Sequence, residues 1–316
     1  MKSNYPGGFA GGITVRGVPI DIPHPGEVFW VNNSSVLAKG GVGGSNGNPG
    51  TYQKPFSTID YAVGRCTASR GDVIYVMPGH VETVTAAAGL DLDVAGITII
   101  GLGSGSIRPT VNFTTATTAD MDVDAANITM VNMLFTGGVD ALAGPIDINA
   151  ADFAIINCET RVVTGQATDF IVTDANATRL LIDGWIHRGA SAAGADTAIT
   201  IVGADGITIR NFWIDGNFAV ACIENVTTAA TNLTIDGGRG SYARTRNAAD
   251  VIVTLVATAT GNVGPNIYAR LQEDAQNITE AFVGADMQFF NPIVICNADG
   301  EVGLNTNITA STDAIV

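Results

Sequence analysis

A short phrase of alternating apolar and outward-facing positions recurs along the middle of the chain. Its first form is Ile97-Thr98-Ile99-Ile100-Gly101, and equivalent phrases begin at residues 128, 153, 180, 207 and 233. Alternation of this kind is typical of a β-strand with one buried face. Recurrence every 25 to 31 residues is typical of a solenoid, whose units bury their apolar faces by stacking on one another.

Two further patterns accompany each phrase. A second predicted strand lies upstream of it, at 90–94, 121–123, 146–148, 170–172, 199–201 and 221–223. Directly after the Gly or Asn that ends most phrases comes a column of apolar residues or a thiol: Leu102, Met133, Cys158, Trp185 and Phe212. Gly and Asn tolerate the left-handed backbone that a sharp corner needs. We therefore predict an all-β parallel β-helix with coils built as strand, turn, strand, corner and longer loop.

The residues ahead of the coils predict a lid. Ser57 or Thr58 can cap a short helix with an apolar face formed by Ile59, Ala62, Val63 and Cys66. An uncovered solenoid end would expose core residues, so such a helix is expected there. The predicted organisation is an extended anchoring arm at 1–54, capping helix and first strand at 55–79, coils at 80–272 and a C-terminal cap or tail at 273–316.

The predicted arm alternates Gly pairs and prolines with apolar residues. We predict that it contacts another protein through these apolar positions: Tyr5, Phe9, Ile13, Val15, Val28, Phe29 and Trp30. The alternative is that the segment packs along its own body, and the sequence leaves both open.

Composition narrows the classes of partner. The formal net charge is −15 and only 14% of residues are charged, so a nucleic-acid backbone would be repelled. No stretch has the length of a membrane span, and the first residues lack the apolar segment of a signal peptide, which predicts synthesis in the cytosol. Cys66, Cys158, Cys222 and Cys296 are too scattered for a zinc motif, and we predict no cofactor.

The best candidate for chemistry is a column of carboxylates. Asp93, Asp122 and Asp147 lie on the upstream strands, and Asp91 could replace Asp93 if the register differs. Such a column could be a solvated face, a cation site or an acid–base pair; the first is favoured. His187 follows Trp185 and is interpreted as a packed or rim histidine rather than as a general base. We predict no catalytic, cofactor-binding or metal-binding residue and a protein that is not an enzyme, with lyase or hydrolase activity left open.

The opening of the body resembles a known superfamily. The stretches Asn48-Pro49-Gly50-Thr51, Pro55-Phe56-Ser57-Thr58-Ile59, Gly71-Asp72-Val73-Ile74 and Met77-Pro78-Gly79 are similar to the capping helix and first coil of pectate-lyase-like proteins. The resemblance implies a right-handed parallel β-helix. It says little about function, since that fold hosts lyases, hydrolases and non-enzymes, and the lyases' catalytic Arg and calcium-binding Asp cluster cannot be placed here.

The predicted arm, from Tyr5-Pro6-Gly7-Gly8-Phe9 to Val28-Phe29-Trp30-Val31, resembles N-terminal segments of tailed-bacteriophage virion proteins. The resemblance implies a particle-binding arm and a projecting, typically trimeric body. The resulting hypothesis is a structural virion protein: a head decoration or minor capsid protein, bound to the major capsid protein or another virion protein, homotrimeric, and assembled in the host cytoplasm. The alternative is a tail spike that binds or cleaves host surface polysaccharide. A free polysaccharide lyase is a third class.

Overall fold

The computed structural model describes residues 26–35, 37–162, 167–246, 251–270 and 282–290, and gives the backbone of four further short strands at 14–15, 18–19, 293–295 and 302–304. Two of those strands, β1 (Thr14–Val15) and β2 (Val18–Pro19), form an antiparallel pair. The body is a parallel β-helix with three long sheets. The parallel β-helix predicted from the sequence is confirmed.

Each sheet collects one strand from successive coils. Sheet I contains β3 (Val28–Val31), β4 (Val73–Val76), β7 (Thr98–Gly101), β10 (Thr129–Val131), β13 (Ala154–Ile156), β16 (Leu181–Asp183), β19 (Thr208–Arg210), β22 (Leu233–Asp236), β25 (Gly261–Val263) and β28 (Met287–Phe289). Sheet II contains β5 (Val81–Val84), β8 (Thr110–Phe113), β11 (Leu134–Gly137), β14 (Glu159–Val162), β17 (Ile186–Arg188), β20 (Trp213–Gly216), β23 (Ser241–Thr245), β26 (Ile267–Arg270) and β29 (Ile293–Ile295). It ends with β30 (Val302–Leu304), which pairs antiparallel with β29. Sheet III contains β6 (Leu90–Asp91), β9 (Met121–Val123), β12 (Leu142–Ile148), β15 (Ala167–Thr173), β18 (Ala195–Ile201), β21 (Phe218–Asn225), β24 (Val253–Leu255) and β27 (Phe282–Val283).

The recurring phrase forms the centre of sheet I, as its pattern predicts. The second apolar residue of each phrase pairs in register with its equivalents above and below, and all are fully buried: Ile99, Met130, Ile155, Ile182, Ile209 and Ile235. Neighbouring parallel strands lie about 4.8 Å apart, so each of these side chains contacts its counterparts in the adjacent coils.

The corner after the phrase also follows the prediction in most coils. Asn132, Asn157, Gly184 and Asn211 have φ of 57°, 52°, 71° and 54°. The next residues, Met133, Cys158, Trp185 and Phe212, are buried. The first coil differs, because Gly101 does not adopt the left-handed conformation and Leu102 is only half-buried. There the chain makes a longer connection that includes a 3-10 turn at Gly105–Ile107 before β8 begins.

A second column of left-handed residues, not predicted from the sequence, precedes each phrase at the corner between sheets III and I. It consists of Gly96, Asn127, Asp152, Arg179, Gly206 and Asn232, with φ between 53° and 75°. One tight corner therefore sets the direction of every phrase strand.

The predicted longer loop after the corner is wrong, because that segment holds the strands of sheet II. Their inward positions include Thr160, His187, Gly216 and Thr245, which give a weak hydrophobic pattern. A strand with polar or glycine residues at inward positions resembles a loop in sequence.

The N-terminal lid is confirmed. Helix α1 (Ile59–Val63) is capped by Thr58, whose hydroxyl accepts a hydrogen bond from the Tyr61 N–H at 3.3 Å, and its apolar face is buried. Within the segment predicted as an extended arm, Val28–Val31 instead pairs with Val73–Val76 as the first strand of sheet I. Among the described residues, no helix is long and apolar enough to cross a membrane.

Candidate ligand-binding face

The residues predicted to anchor the chain occupy different environments. Tyr5, Phe9 and Ile13 lie outside the described residues, and for Val15 only the backbone of β1 is described. In β3, Val28 is exposed, Phe29 is buried with its ring 5.7 Å from that of Phe56, and Trp30 lies 4.9 Å from the rings of both Tyr52 and Tyr75. Phe29 therefore belongs to the core, and anchoring through the others stays a prediction.

The carboxylate column exists, with Asp91 rather than Asp93 as its first member. Asp91 pairs in register with Asp122, and Asp122 with Asp147. Leu90 and Leu92 are both buried, which turns Asp91 outward between them, whereas Asp93 follows the end of β6 and is exposed. The alternative register left open by the sequence is the correct one.

The column carries charges that repel each other. Burial, and then the neighbouring charges of Asp124 and Asp147, raise the pKa of Asp122 to about 6. Burial also raises the pKa of Asp91 and of Asp147. Asn149 Nδ2 donates a hydrogen bond to Asp122 Oδ1 at 2.7 Å, and a hydrogen bond from Asn149 partly offsets the rise in the pKa of Asp147. Within the described part of the chain, no group of three or more His, Cys, Asp or Glu residues is arranged to hold a metal ion.

A second acidic cluster on sheet III was not predicted. The Thr200 hydroxyl lies 3.2 Å from both Asp169 Oδ1 and Glu224 Oε1, and the Thr197 hydroxyl donates to Asp169 Oδ1 at 2.9 Å. Burial raises the pKa of both carboxyl groups. The two carboxylates thus share the Thr200 hydroxyl on the outer side of the sheet, and Thr197 contacts Asp169 and Thr200.

His187 is packed in the core, as predicted. Its Nδ1 lies 2.7 Å from the Thr160 hydroxyl, and its ring lies between those of Phe170 and Phe218 at 5.5 and 5.6 Å. Burial lowers the pKa of His187 to about 3, so the ring is neutral at physiological pH.

The outward face of sheet II carries a column of aromatic rings. Trp213, Tyr242 and Tyr268 occupy equivalent positions on β20, β23 and β26. The rings of Trp213 and Tyr242 lie 4.4 Å apart with planes tilted by 31°. Trp213 is 46% exposed and Tyr268 is 43% exposed. Three large aromatic side chains thus follow the axis of the solenoid on its surface.

Arginines form a second column beside the aromatic one. Arg161, Arg188, Asp215, Arg244 and Arg270 occupy successive positions along the sheet. Arg108 and Arg246 join this surface by ion pairs with its carboxylates. We call the surface formed by these arginines, their two carboxylate partners and the three aromatic residues the sheet II face.

Glu159 organises one end of the sheet II face. It is 5% exposed and forms ion pairs with Arg108, Arg161 and Arg188 at 3.1, 2.7 and 2.9 Å. Burial alone would raise the pKa of Glu159, but hydrogen bonds from Arg161 and Arg188 outweigh it, and the pKa lies below its ordinary value. A fixed negative charge therefore holds three guanidinium groups together.

Asp215 has the same role beside the aromatic rings. Arg244 donates to its two oxygens from Nε at 2.9 Å and from Nη2 at 2.5 Å, and Arg246 Nη2 donates at 2.9 Å. Bidentate pairs of this kind fix the plane of the guanidinium group. The polar groups beside Trp213 and Tyr242 are thus held in place by Asp215.

Comparison with known proteins gives few matches. No family model matches the chain. No curated protein matches it. A solved structure titled "Rhamnogalacturonan lyase" is similar at 14% sequence identity and a TM-score of 0.45, over 87% of this chain and 88% of that one.

Proposed function

We propose that the protein binds an extended polysaccharide along the sheet II face. The observation that carries the proposal is the column formed by Trp213, Tyr242 and Tyr268, with two of the three rings exposed. Exposed aromatic side chains gathered in one patch mark binding surfaces on soluble proteins. Pyranose rings have apolar faces of C–H groups, which pack well on aromatic rings.

The shape of the surface supports an elongated ligand. Equivalent residues on successive coils lie about 4.8 Å apart, so the aromatic rings and arginines form two parallel rows along the solenoid axis. The spacing is comparable with the rise of one sugar unit in an extended glycan. A sugar packed on Tyr242 or Tyr268 would have Arg244 or Arg270 beside it in the other row, whereas Trp213 lies beside Asp215, which is ion-paired with Arg244 and Arg246.

The preordered arginines support selective binding. Arg244 and Arg246 are fixed by Asp215, so a ligand hydroxyl or acid group would meet donors whose side-chain entropy is already restricted. Fixed polar groups beside an apolar platform are what orient a ligand in a binding site.

Removing the exposed rings tests the proposal. Trp213→Ala combined with Tyr268→Ala should weaken binding of the target polysaccharide at least tenfold in affinity electrophoresis, with circular dichroism and melting temperature retained. The matched control is Tyr52→Ala, which removes a ring that is 48% exposed but lies against Trp30, away from sheet II. An equal loss in the control, or no loss in the double variant, would overturn the proposal.

The proposal is one of binding without cleavage. A polymer incubated with the protein should keep its viscosity and show no new reducing ends or unsaturated products. Depolymerisation would instead assign the protein to the lyases or hydrolases, with Asp169 and Glu224 as the first carboxylates to substitute.

We further propose a bacteriophage particle as the setting for this binding. The support is the resemblance of the segment from Tyr5 to Val31 to virion proteins. A tail-spike or receptor-binding role suits the sheet II face, while a capsid decoration role would use the N-terminal residues and leave the face outward. Antibody labelling of purified particles should place the protein on the tail in the first case and on the head in the second. Absence from particles would reject both.

A further inference from the structure

We infer that the ligand of the sheet II face is an acidic glycan bearing carboxylate or sulfate groups, which the arginine column recognises. This inference rests on the proposed function, since it names the chemical class of the polysaccharide bound there. Its starting point is the distribution of charge rather than the aromatic rings.

The sheet II face is positive on an acidic protein. The chain has a formal net charge of −15. Five arginines of the face, at positions 108, 161, 188, 244 and 246, form ion pairs with only two carboxylates, Glu159 and Asp215. Within these ion pairs five positive charges meet two negative ones, which is an excess of three positive charges. Such a concentration on an otherwise negative body favours and steers an anionic ligand.

Two arginines of the column bond Glu159 through Nε and have further N–H donors at their Nη atoms. Arg161 and Arg188 both donate to Glu159 Oε1 through Nε, and their side chains are 43% and 57% exposed. A guanidinium group has five N–H donors in a planar fork, so a bond through Nε leaves the terminal Nη groups for a second acceptor. Carboxylate and sulfate oxygens match that fork in geometry and charge.

Glu159 keeps three of the guanidinium groups close together. Three guanidinium groups next to one another would repel and spread into solvent, but buried Glu159 forms ion pairs with all three. The column therefore keeps its excess positive charge in one place, at the cost of one negative charge. This arrangement is suited to a ligand with acid groups repeating along its length.

The experiment compares polymers that share a backbone but differ in charge. Hyaluronan, alginate and polygalacturonate would each be immobilised alongside a carboxyl-reduced derivative, and binding of the full-length protein measured by biolayer interferometry at low and high salt. At least one acidic polymer should bind, with at least tenfold weaker binding to its reduced form and weaker binding at high salt.

Matched variants identify the surface. Arg161→Gln with Arg188→Gln should weaken binding of the acidic polymer about tenfold, which corresponds to about 1.4 kcal/mol. Arg210→Gln is the control: Arg210 on sheet I is 45% exposed and ion-paired with Asp183 at 2.9 Å, so its charge is lost from another face. Equal losses in both would overturn the inference.

The remaining outcomes separate this inference from the proposed function. Equal binding of an acidic polymer and its reduced form would overturn the acidic class and leave polysaccharide binding in place. Binding of neither form of any polymer would overturn both. Equally tight binding of double-stranded DNA would show a general polyanion surface and would also overturn the inference.

Discussion

The backbone N–H of Ile59 donates a hydrogen bond to Glu82 Oε2 at 2.9 Å, and this bond joins the capping helix to the first strand of sheet II. The same oxygen lies 2.9 Å from His80 Nε2, while His80 Nδ1 accepts the Asn33 N–H at 3.1 Å. An accepting Nδ1 places the ring proton on Nε2, which then donates to Glu82. The lid of the solenoid is thus held by a buried histidine and one carboxylate.

Removing that carboxylate should loosen the lid. Glu82→Ala leaves the buried Ile59 N–H and His80 Nε2–H without their acceptor, and we expect the free energy of unfolding in urea to fall by about 2–3 kcal/mol. Thr83→Ala, at the next and exposed position of β5, is the control and should change it by less than about 0.5 kcal/mol. Similar values for the two variants would contradict this account of the lid.

Acidification should at first stabilise the protein. A carboxyl group whose pKa is raised by folding binds more protons in the folded state than in the unfolded state. The destabilisation of the folded state by its negative charge is therefore removed as pH falls. The pKa of Asp122 rises from 3.8 to about 6, which predicts a melting temperature that increases between about pH 7 and pH 4. Below that window the gain ends, because this carboxyl is then protonated in the unfolded chain as well. Stability falls there, because Asp72 and Glu159 have lowered pKa values and lose favourable charge when protonated.

Asp122→Asn isolates this effect. The amide still accepts the hydrogen bond from Asn149 but carries no charge, so the variant should be more stable at pH 7 by about 1–2 kcal/mol and show a flatter pH dependence. Asp93→Asn is the control, because it removes an exposed charge close by that is not one of those raising the pKa of Asp122. A variant at position 122 that keeps the wild-type profile would contradict the assignment.

Substitution of the corner glycine that follows β16 should destabilise the protein. Gly184 has φ of 71°, and a Cβ there would overlap Asn157 Oδ1 in the preceding coil. Gly184→Ala combines left-handed strain with a steric clash, and we expect a loss of more than about 2 kcal/mol in unfolding free energy. Gly105 has φ of 58°, but a Cβ added there would meet no atom within 4 Å, so Gly105→Ala should show the backbone cost alone, about 1 kcal/mol.

Alanine substitutions at two neighbouring isoleucines of sheet I should differ sharply in their effect on the free energy of unfolding. Ile155 is fully buried between Met130 and Ile182, whereas Ile156 points outward and is half-buried. Ile155→Ala should cost about 2–5 kcal/mol of unfolding free energy, because it leaves a cavity in the ladder. Ile156→Ala should cost less than half as much. Equal losses would mean that the register of β13 is misassigned.

The sequence predicts sheet I and sheet III well for a physical reason. Residues such as Ile99 and Met130 alternate strictly with outward positions, and Asn132 or Gly184 marks the corner that follows. The strands of sheet II are not predicted from the sequence, because inward positions hold Thr160, His187 and Gly216. These strands therefore lack the apolar alternation that marks the strands of the other two sheets. The register of Asp91 was ambiguous because the turns between sheets differ in length.

The sheet II face was missed for the same reason. Trp213, Tyr242 and Tyr268 are far apart in sequence, and only the coil register aligns them. The alternation in Trp213-Ile214-Asp215-Gly216 and Ser241-Tyr242-Ala243-Arg244 is the signal that could have revealed these strands. Exposure of the rings and the shared partner Glu159 depend on three-dimensional contacts, which no local pattern contains.

The left-handed residue before each phrase makes the coil the unit in which this molecule can change length. Arg179 and Gly206 hold equivalent corners and precede the phrases that begin at 180 and 207. A duplication or loss of the intervening coil would join the chain at equivalent corner positions. It would move the aromatic rings by about 4.8 Å relative to Glu159. Duplicating this coil would therefore lengthen the sheet II face by one repeat and keep the pairing of Arg188 with Glu159, whereas its loss would remove Arg188 and that ion pair.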